Sequence, residues 1–509
     1  MIVIEVLSVD IDILSHPTTL SQYKEEKKLE IFGNKISETE EKKAEAKRDK
    51  FIKKYGDDRL SNYNYQFTSN EVLKDLNCLN LTLSDKKENL DFSNKIIVGN
   101  IRMGFGHYRI SMAIASCIKA LGYTPVWMDL NSFKNTTTSK MIASQNDLYS
   151  MGSRWASSSS LFNKLYWEPL NYEGFRKLKQ NVSDLKMIEL TSALYRNIPK
   201  DTPYIATHVW PAQAAVKAEM QTVVNAIPDN WQMALHLAEG SIHTVQTPNS
   251  FFGYKLLRGM DKHKTLKAMP KDSIYEVGHY IDHELVSNIE KDNDLRIKRL
   301  KNGKIRYLLT VGGAGSQIEL FEAIINHLLP AVNEKKVSLL INVGDHLNVL
   351  KELQKRIPQL TTMAENHFDD YENVKAFTNN IANNELNGIH LFYNQDIFKA
   401  VYITNLLMRV SDVLVTKPSE LSFYPIPKLF IHRVGGHEKW GAIHSAEIGD
   451  GTYECETTAE VKQMLDLFEN EPETVIYMCN KINKNKQLGI YDGGYKVVEL
   501  ALKKANKSI

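Results

Sequence analysis

The chain lacks the features that define several special classes of protein. It has four cysteines among 509 residues (Cys78, Cys117, Cys455 and Cys479), and none of them forms a Cys-x-x-Cys pair. Scattered cysteines exclude a disulfide framework and a zinc knuckle, and they are typical of a reducing compartment. No other spacing of histidine, aspartate or cysteine indicates a metal site.

Long apolar runs and an excess of one charge are also missing. No apolar run approaches the ~20 residues that span a bilayer. The first ten residues contain acids and no basic region, which predicts a strand rather than a signal peptide. A net charge of +2 gives no overall field that would attract nucleic acid. With 43% apolar and 24% charged residues, the composition predicts a cytoplasmic globular protein of two or three domains, without a nucleic-acid partner.

Residues 37–90 form a polar part of the sequence. Ser37 to Glu40 form a capping box that opens a charged stretch through Lys54, which predicts a solvated surface helix, with a charged lid or partner-binding arm as alternatives. Residues 55–90 are polar and rich in asparagine, which predicts an irregular link to the next unit.

A glycine-rich turn divides the second half of the chain. The apolar run 307–311 predicts a buried parallel strand, and it ends at Gly312-Gly313-Ala314-Gly315. Ser316 then opens a segment with helical spacing. A strand, a glycine loop and a helix N-terminus bind anions through backbone amides and the helix dipole. The spacing matches neither common nucleotide motif, so a tight strand-to-helix turn remains the alternative.

A second glycine turn follows the strand predicted at residues 95–99. Gly104 and Gly106 precede His107, then come a predicted helix and a new strand at 124–128, which together form a βαβ unit. His107 lies where open α/β sheets place their ligands, at the carboxyl end of a strand. A helix N-terminus disfavours a charged imidazole, so His107 is a candidate base. A capping or packing histidine is the alternative.

These turns carry a resemblance to a known family. Gly104-Phe105-Gly106-His107 and the helix after it resemble the Gly-Gly-Gly-His opening of the monogalactosyldiacylglycerol synthases. The same opening occurs in their relatives, the GlcNAc transferases that make the lipid-linked peptidoglycan precursor. Residues 227–230 (Ile-Pro-Asp-Asn) resemble the family's Thr-Asp turn, and residues 277–282 resemble its hinge strand. Arg102 and Met103 stand where the family has glycines.

The resemblance continues to about residue 470 of the sequence. Residues 411–418 resemble the family's Ala-Asp-x-x-x-x-Lys-Pro segment and end in Lys417-Pro418. Ser419-Glu420 resembles the family's Ser-Glu, and Gly436-His437-Glu438 resembles its Gly-Gln-Glu. The usual Gly-Gly-x-Thr loop is missing, because Pro418 runs directly into Ser419. The first 90 residues have no counterpart, so the resemblance implies a divergent member of the family.

The family consists of GT-B glycosyltransferases, so the resemblance implies an α/β fold of two Rossmann-like domains facing across a cleft. We expect four parts: an extension of a strand and a charged helix at 1–90, an acceptor-side domain at 91–280, a nucleotide-sugar-binding domain at 281–480, and a last helix at 481–509 that packs back on the first domain.

The resemblance also implies roles in donor binding. Glu420 would accept hydrogen bonds from the ribose hydroxyls, although a carboxylate that favours a helix start is the alternative. Backbone amides at Gly312, Gly313, Gly315 and Ser316 would hold the diphosphate without a metal. Other residues are expected to contact substrate or to line the cleft: Gly104, Gly106, Gly344, Lys417, Ser419, His437 and Glu438.

Inversion at the sugar requires one general base on the acceptor hydroxyl, and the sequence offers two candidates. His107 is one, and Asp229, which also fits an ordinary Asx turn, is the other. The sequence does not rank them. His208 and His236 follow apolar runs and are equally compatible with a site or with a loop hydrogen bond.

The acceptor side is the least defined part of the sequence. Residues 155–180 interleave aromatic and basic side chains, which fits a surface beside anionic lipid or a core helix with a basic outer face. The resemblance implies a UDP-sugar donor with no further cofactor, and a hydroxyl acceptor such as a lipid at the inner face of the membrane. A UDP-sugar 2-epimerase on the same scaffold and a catalytically silent binding protein are the alternatives.

Overall fold

The computed structural model of the protein describes residues 29–102, 105–158, 162–311 and 317–508. These residues form two α/β domains, each built on one large sheet, which we call the first and the second domain. A two-stranded ribbon, β1 (Glu30–Ile31) and β2 (Asn34–Lys35), precedes them. Within the described ranges, no helix combines the length and the apolarity that crossing a membrane would require.

The sheet of the first domain has eight strands in the order β10-β9-β8-β7-β5-β6-β4-β3. All neighbouring pairs are parallel except β3 and β4. The strands are β3 (Asn64–Ser69), β4 (Leu79–Ser84), β5 (Lys95–Asn100), β6 (Thr124–Asp129), β7 (Tyr204–Ala206), β8 (Val223–Ala226), β9 (Ile242–Val245) and β10 (Ile274–Glu276).

Helices of this domain lie on both faces of its sheet, as βαβ crossovers require. They are α1 (Glu38–Tyr55), α2 (Gly106–Ala120), α3 (Thr137–Ser158), α4 (Leu178–Ile188), α5 (Val209–Lys217) and α6 (Pro248–Lys255). Short helical turns occur at Lys74–Leu76, Ser192–Tyr195 and Ala234–His236, and two π-helical turns at Asn163–Trp167 and Leu170–Gly174.

The sheet of the second domain has seven parallel strands in the order β13-β14-β12-β11-β15-β16-β17. Without the edge strand β13, this is the Rossmann order 3-2-1-4-5-6. The strands are β11 (Ile305–Thr310), β12 (Val337–Asn342), β13 (Ala364–Phe368), β14 (Gly388–Tyr393), β15 (Val413–Thr416), β16 (Lys428–Phe430) and β17 (Gly451–Glu454).

Eleven helices in the described part of the chain follow the first sheet, and the last of them returns to the first domain. They are α7 (His283–Val286), α8 (Ile289–Lys301), α9 (Ile318–Asn333), α10 (Leu347–Arg356), α11 (Gln359–Thr362), α12 (Tyr371–Ile381), α13 (Ile397–Val410), α14 (Lys439–Ile448), α15 (Thr458–Asn470), α16 (Glu473–Gln487) and α17 (Gly493–Lys504). Apolar residues of α17, such as Val497 and Leu502, pack with Ile114 and Ile118 of α2.

An apolar cluster joins the two domains beside their cleft. Tyr108 and Met112 of α2 belong to the same buried cluster as Val401 of α13 and Tyr424, which follows β15. The carboxyl ends of the central strands of both sheets face one another from either side of this cluster, since Arg102 after β5 pairs with Asp345 after β12. The fold is therefore GT-B: two Rossmann-like domains across a cleft.

The two predicted glycine-turn units have the predicted secondary structure where the structure describes them. β11, β5, α2 and β6 lie where the sequence places them, and the helix after the second-half turn begins at Ile318. Ser37 caps α1 by accepting a hydrogen bond from the amide of Glu40, as predicted. The domain boundaries inferred from the sequence stay predictions.

The prediction of an irregular link over residues 55–90 is wrong. β3 and β4 occupy this stretch and extend the first sheet beyond β6. Both strands cover one edge of the sheet, so each buries only one side chain fully, Tyr65 and Leu81. One inward-facing residue in a polar strand gives too weak an alternation to distinguish it from a loop.

Candidate active site

The chain order of the strands creates one ligand-binding crevice in each sheet. In the first domain the chain runs from β5 outward to β6 and then returns to place β7 on the other side of β5. In the second domain β12 and β15 flank β11 in the same way. Ligands of open α/β sheets bind at such switch points, beyond the carboxyl ends of the strands. The two crevices face each other across the cleft.

His107 lies at the switch point of the first domain, in the first turn of α2. Its Nδ1 is 2.7 Å from the carbonyl oxygen of Thr207, which directly follows β7. A carbonyl only accepts, so Nδ1 carries the proton and the neutral ring presents a lone pair on Nε2. Burial lowers the pKa of His107, although the hydrogen bond to Thr207 and the nearby Asp229 and Glu420 act in the opposite direction. The ring is therefore neutral near pH 7.

Two further histidines and an aspartate lie beside His107. The ring of His208 is 4.7 Å from that of His107, and its Nδ1 accepts a hydrogen bond from the amide of Trp210. His236 Nε2 lies 3.3 Å from Asp229 Oδ2. Burial lowers the pKa of His236 to about 4, although Asp229 raises it. The Nδ1 atom of His236 is buried without a hydrogen-bond partner in the described part of the chain.

A cavity of about 640 Å³ opens beside these groups. Most of its wall is aromatic or aliphatic, and much of it comes from α3 and the two π-helical turns. The apolar lining includes Leu148, Met151, Trp155, Phe162, Tyr166, Trp167, Leu170, Phe175 and Leu235, whereas His107, His208, Asp229, His236 and His437 form a polar part. An apolar cavity with a few converging polar groups is the usual form of a small-molecule site.

A second polar group faces the cavity from α4. The side chain of Asp184 is buried, and burial raises its pKa to about 7. Lys47 and a hydrogen bond from the neighbouring Trp210 act in the opposite direction and lower the pKa of Asp184. Lys47 of α1 also lines the cavity, so the charged N-terminal helix contributes to the site.

Stacked rings join the two domains beside the cavity. Trp231 of the first domain stacks on Trp440 of α14, with ring centroids 5.2 Å apart and planes 10° apart. Tyr172 stacks on Trp231 at 4.5 Å, and the Arg176 guanidinium lies 4.3 Å from the Trp231 ring. The side-chain amide of Asn230 donates to the carbonyl of Trp440. This contact holds the residues next to Asp229 against the second domain.

Glu420 lies at the switch point of the second domain, at the start of the turn Glu420–Phe423. Its Oε1 is 3.5 Å from Nε of Arg109, which belongs to α2 of the first domain. Arg109 is 2% exposed and also donates to Asn405 Oδ1 and to the carbonyl of Val401. Charged side chains are almost never fully buried unless they are paired, and this ion pair draws the Glu420 carboxylate toward the first domain.

Lys417 and Glu438 form a close ion pair, and both side chains are largely buried. Burial alone would raise the pKa of Glu438, but Lys417 and His437 lower it below its ordinary range. Oε2 of Glu438 also accepts hydrogen bonds from the amides of Val434 and Gly435. Glu438 thus shapes the turn that carries His437 into the cavity wall.

The remaining predicted residues lie along the contact between the domains. A Cβ on Gly344 would come within 2.8 Å of the Phe105 ring, and a Cβ on Gly106 within 3.3 Å of Glu420 Oε2. Ser419 precedes the Glu420 turn and donates its amide to the carbonyl of Lys417. Five predicted residues lie outside the described ranges: Gly104, Gly312, Gly313, Gly315 and Ser316.

Four residues at the site were not predicted from the sequence: Arg109, Asp184, Trp440 and Lys47. Arg109 is two residues from His107, and this proximity was the one available signal. Asp184 and Lys47 lie on helices whose composition is typical of a surface. The sequence predicts no metal site. One group of described residues nevertheless brings three candidate ligand atoms together, at the outer edge of the second sheet and away from the cleft.

Two family models match this chain. Residues 30–256 match a family model described as a domain of unknown function (DUF6937), and residues 269–502 match one described in the same words (DUF6938). A search of curated proteins found no match.

Solved structures resemble this chain at low identity. A UDP-GlcNAc 2-epimerase from Neisseria meningitidis, bound to UDP-GlcNAc, is 14% identical over 80% of this chain and 100% of that chain, with a TM-score of 0.44. A glycosyltransferase from Rickettsia africae is 12% identical over 82% and 100%, with a TM-score of 0.36. A trehalose-phosphate synthase from Burkholderia vietnamiensis is 10% identical over 82% and 98%, with a TM-score of 0.42. Because these scores are low, functional inference rests on the geometry of the site.

The histidine environment gives a direct test of the site. In an NMR titration, His236 should have a pKa of about 4, and replacing Asp229 by Asn should lower it further, because Asp229 favours the charged imidazole. His432, whose hydrogen bond to Glu454 raises its pKa, should titrate above the ordinary histidine range. The control is Asp272→Asn, an exposed loop substitution. An unchanged His236 pKa in Asp229→Asn would contradict this geometry.

Proposed function

We propose that the protein is a glycosyltransferase that moves a sugar from a nucleotide donor, in the first place a UDP-sugar, to a hydroxyl acceptor. The reaction inverts the anomeric centre and needs no metal ion. One observation carries this proposal: an apolar cavity of about 640 Å³ ends at His107, Asp229 and His236, and His437 of the second domain completes its wall. A transferase requires such a second compartment for its acceptor.

The donor would lie on the second domain. The carboxylate of Glu420 suits a ribose because it can accept a hydrogen bond from each of two neighbouring hydroxyls, and Arg109 holds it in place. The start of α9, which follows β11, favours the negative charge of a diphosphate through its amides and dipole. We assign the same task to Gly312, Gly313, Gly315 and Ser316, which precede this helix in the sequence. Their backbone amides would take the place of a positively charged metal ion. His437 and the Lys417–Glu438 pair would lie beside the sugar.

His107 is the better placed of the two candidate bases. Its pKa is lowered and its Nδ1 is occupied by Thr207, so Nε2 is free of a proton at neutral pH. Asp229 already faces Nε2 of His236, and it would then orient the acceptor or the neutral imidazole of His236. A base with a pKa below the working pH is in the correct protonation state for most molecules.

The acceptor would be amphiphilic, with its hydroxyl near His107 and its apolar part against the aromatic wall. Trp155 and Leu165, which are 54% and 69% exposed, lie on the outer side of this wall. Exposed aromatic and aliphatic side chains between basic residues favour contact with a lipid surface. We therefore propose a lipid acceptor and peripheral membrane contact through residues 155–180.

Donor binding is tested by thermal unfolding with nucleotides. UDP at 100 times its dissociation constant should stabilise the protein by about 2.7 kcal/mol, with or without Mg²⁺. Glu420→Ala should abolish most of this shift, whereas Glu447→Ala, an exposed glutamate on α14, should keep it. If neither UDP nor another nucleoside diphosphate shifts the unfolding midpoint, the protein has no such donor site, and the proposed transferase activity is contradicted.

The role of His107 is tested with a UDP-sugar and an amphiphilic alcohol. His107→Gln should lower kcat by about 10²- to 10⁴-fold while UDP still stabilises the variant. In the wild type, the base form exists above the His107 pKa, so activity should persist at pH 6.5 and decline only as the pH falls further. His263→Gln, at an exposed position, is the matched control. Conversion of the UDP-sugar without any acceptor would instead indicate an epimerase.

A charged side chain introduced into the apolar wall of the cavity should weaken binding of the acceptor. Leu148→Glu places a carboxylate in the cavity lining, so the acceptor KM should rise by about 10- to 100-fold without a change in the UDP shift. Leu60→Glu is the matched control, because Leu60 is 93% exposed and lies outside the cavity. Equal KM values for the two variants would show that the acceptor binds elsewhere.

A further inference from the structure

Three potential metal ligands share one face at the outer edge of the second sheet. Glu365 and His367 are two residues apart on β13, so their side chains point to the same side of the sheet. His390 lies on β14, directly beside Glu365 in the strand register. This edge is separated from the switch point between β11 and β15 by β14 and β12.

The separations of the ligand atoms fit one kind of ion. His367 Nε2 is 3.3 Å from His390 Nδ1. Glu365 Oε1 lies 3.5 Å from His367 Nε2, and Glu365 Oε2 lies 3.6 Å from His390 Nδ1. Ligands about 2.0–2.1 Å from a tetrahedral zinc ion lie about 3.3–3.4 Å apart. Ligands at right angles around an octahedral ion would be closer, at about 2.8–3.0 Å for the same bond lengths.

Both imidazoles are held in place by neighbouring groups, His390 by a hydrogen bond and His367 by ring stacking. Nε2 of His390 is 3.2 Å from the carbonyl of Asn387, which can only accept, so Nδ1 of the neutral ring has its lone pair toward His367. The His367 ring stacks on Phe392 at 4.6 Å and 7°, with Phe377 4.4 Å away. A backbone carbonyl behind a ligating imidazole is the usual outer support of a metal site.

We propose that Glu365, His367 and His390 bind one Zn²⁺ ion, with a fourth position left for water or an added ligand. Neutral imidazoles and a carboxylate suit zinc, and Glu365, which is 63% exposed, leaves the site open to solvent. In the described part of the chain, β13 pairs only with β14. The bound ion would link the edge strand β13 to β14. The site is independent of the proposed transfer reaction.

The test is a zinc titration of the full-length protein after removal of metal with EDTA, followed by competition with a chromophoric zinc indicator. We expect His367→Ala and His390→Ala to bind one equivalent fewer than wild type, or to bind that equivalent more than 100-fold more weakly, because loss of a ligand exceeds loss of an outer support. His327→Ala is the matched control, since His327 pairs with Asp466 in the same domain. It should bind as wild type does.

Two further measurements keep the result decisive. Glu365→Gln preserves the shape of an exposed side chain, so it should fold, and its zinc affinity should fall at least about tenfold. Co²⁺ bound to wild type should give the intense visible absorption of tetrahedral cobalt, and His390→Ala should lack it. Equal zinc stoichiometry and affinity in wild type and in both histidine variants would overturn the proposal and leave the three residues a hydrogen-bonded cluster.

Discussion

The burial of one arginine between the domains determines the rest of the site. Arg109 extends from the first domain into the second, where Glu420, Asn405 and the carbonyl of Val401 surround its guanidinium. Glu420 is the carboxylate in ion-pair distance of this buried arginine, so its position is set by the contact between the domains before any ligand binds. Because His107 lies in the same turn of α2, the interaction that positions the donor-side carboxylate also positions the candidate base.

The acceptor cavity depends on the same domain arrangement. Its polar part comes from the ends of β5, β7 and β8 and from the turn at Ala234–His236, but its wall is completed by His437. The stacked rings of Trp231 and Trp440 cross the boundary next to it. A change in the angle between the domains would therefore alter the donor contacts and the acceptor volume together.

The sequence predicted the strand, turn and helix that carry His107, but it did not predict which distant residues lie close to His107 in the folded protein. Strand β5, helix α2 and their turn follow from short-range apolar patterns, and His107 follows from its position in the turn. The convergence of Asp229, His236 and His437 on one cavity required the order of strands in two sheets, which no local pattern encodes. Asp184 and Arg109 escaped notice because charged residues on helices are ordinarily solvated. The roles of Gly312 to Ser316 stay predictions.

The proposed metal site illustrates the same limit. Glu365 and His367 occur two residues apart, which is uninformative in a sequence, and His390 follows 23 residues later. Only the parallel pairing of β13 with β14 brings their ligand atoms together. A search for metal-binding spacing in the chain alone had no reason to combine them.

The chain crosses between the domains at two places that lie side by side. Gly278 and His279 form the first crossing, and the amide of His279 donates to the carbonyl of Ile490, which belongs to the return crossing before α17. Tyr280 pairs with Asp492 in antiparallel fashion. A single connection would allow one domain to rotate about many axes relative to the other. Two adjacent connections that are hydrogen-bonded to each other act as a hinge with one preferred axis. Any rotation of one domain against the other would therefore be restricted to the axis that runs along these paired crossings, which would keep the two halves of the site in register.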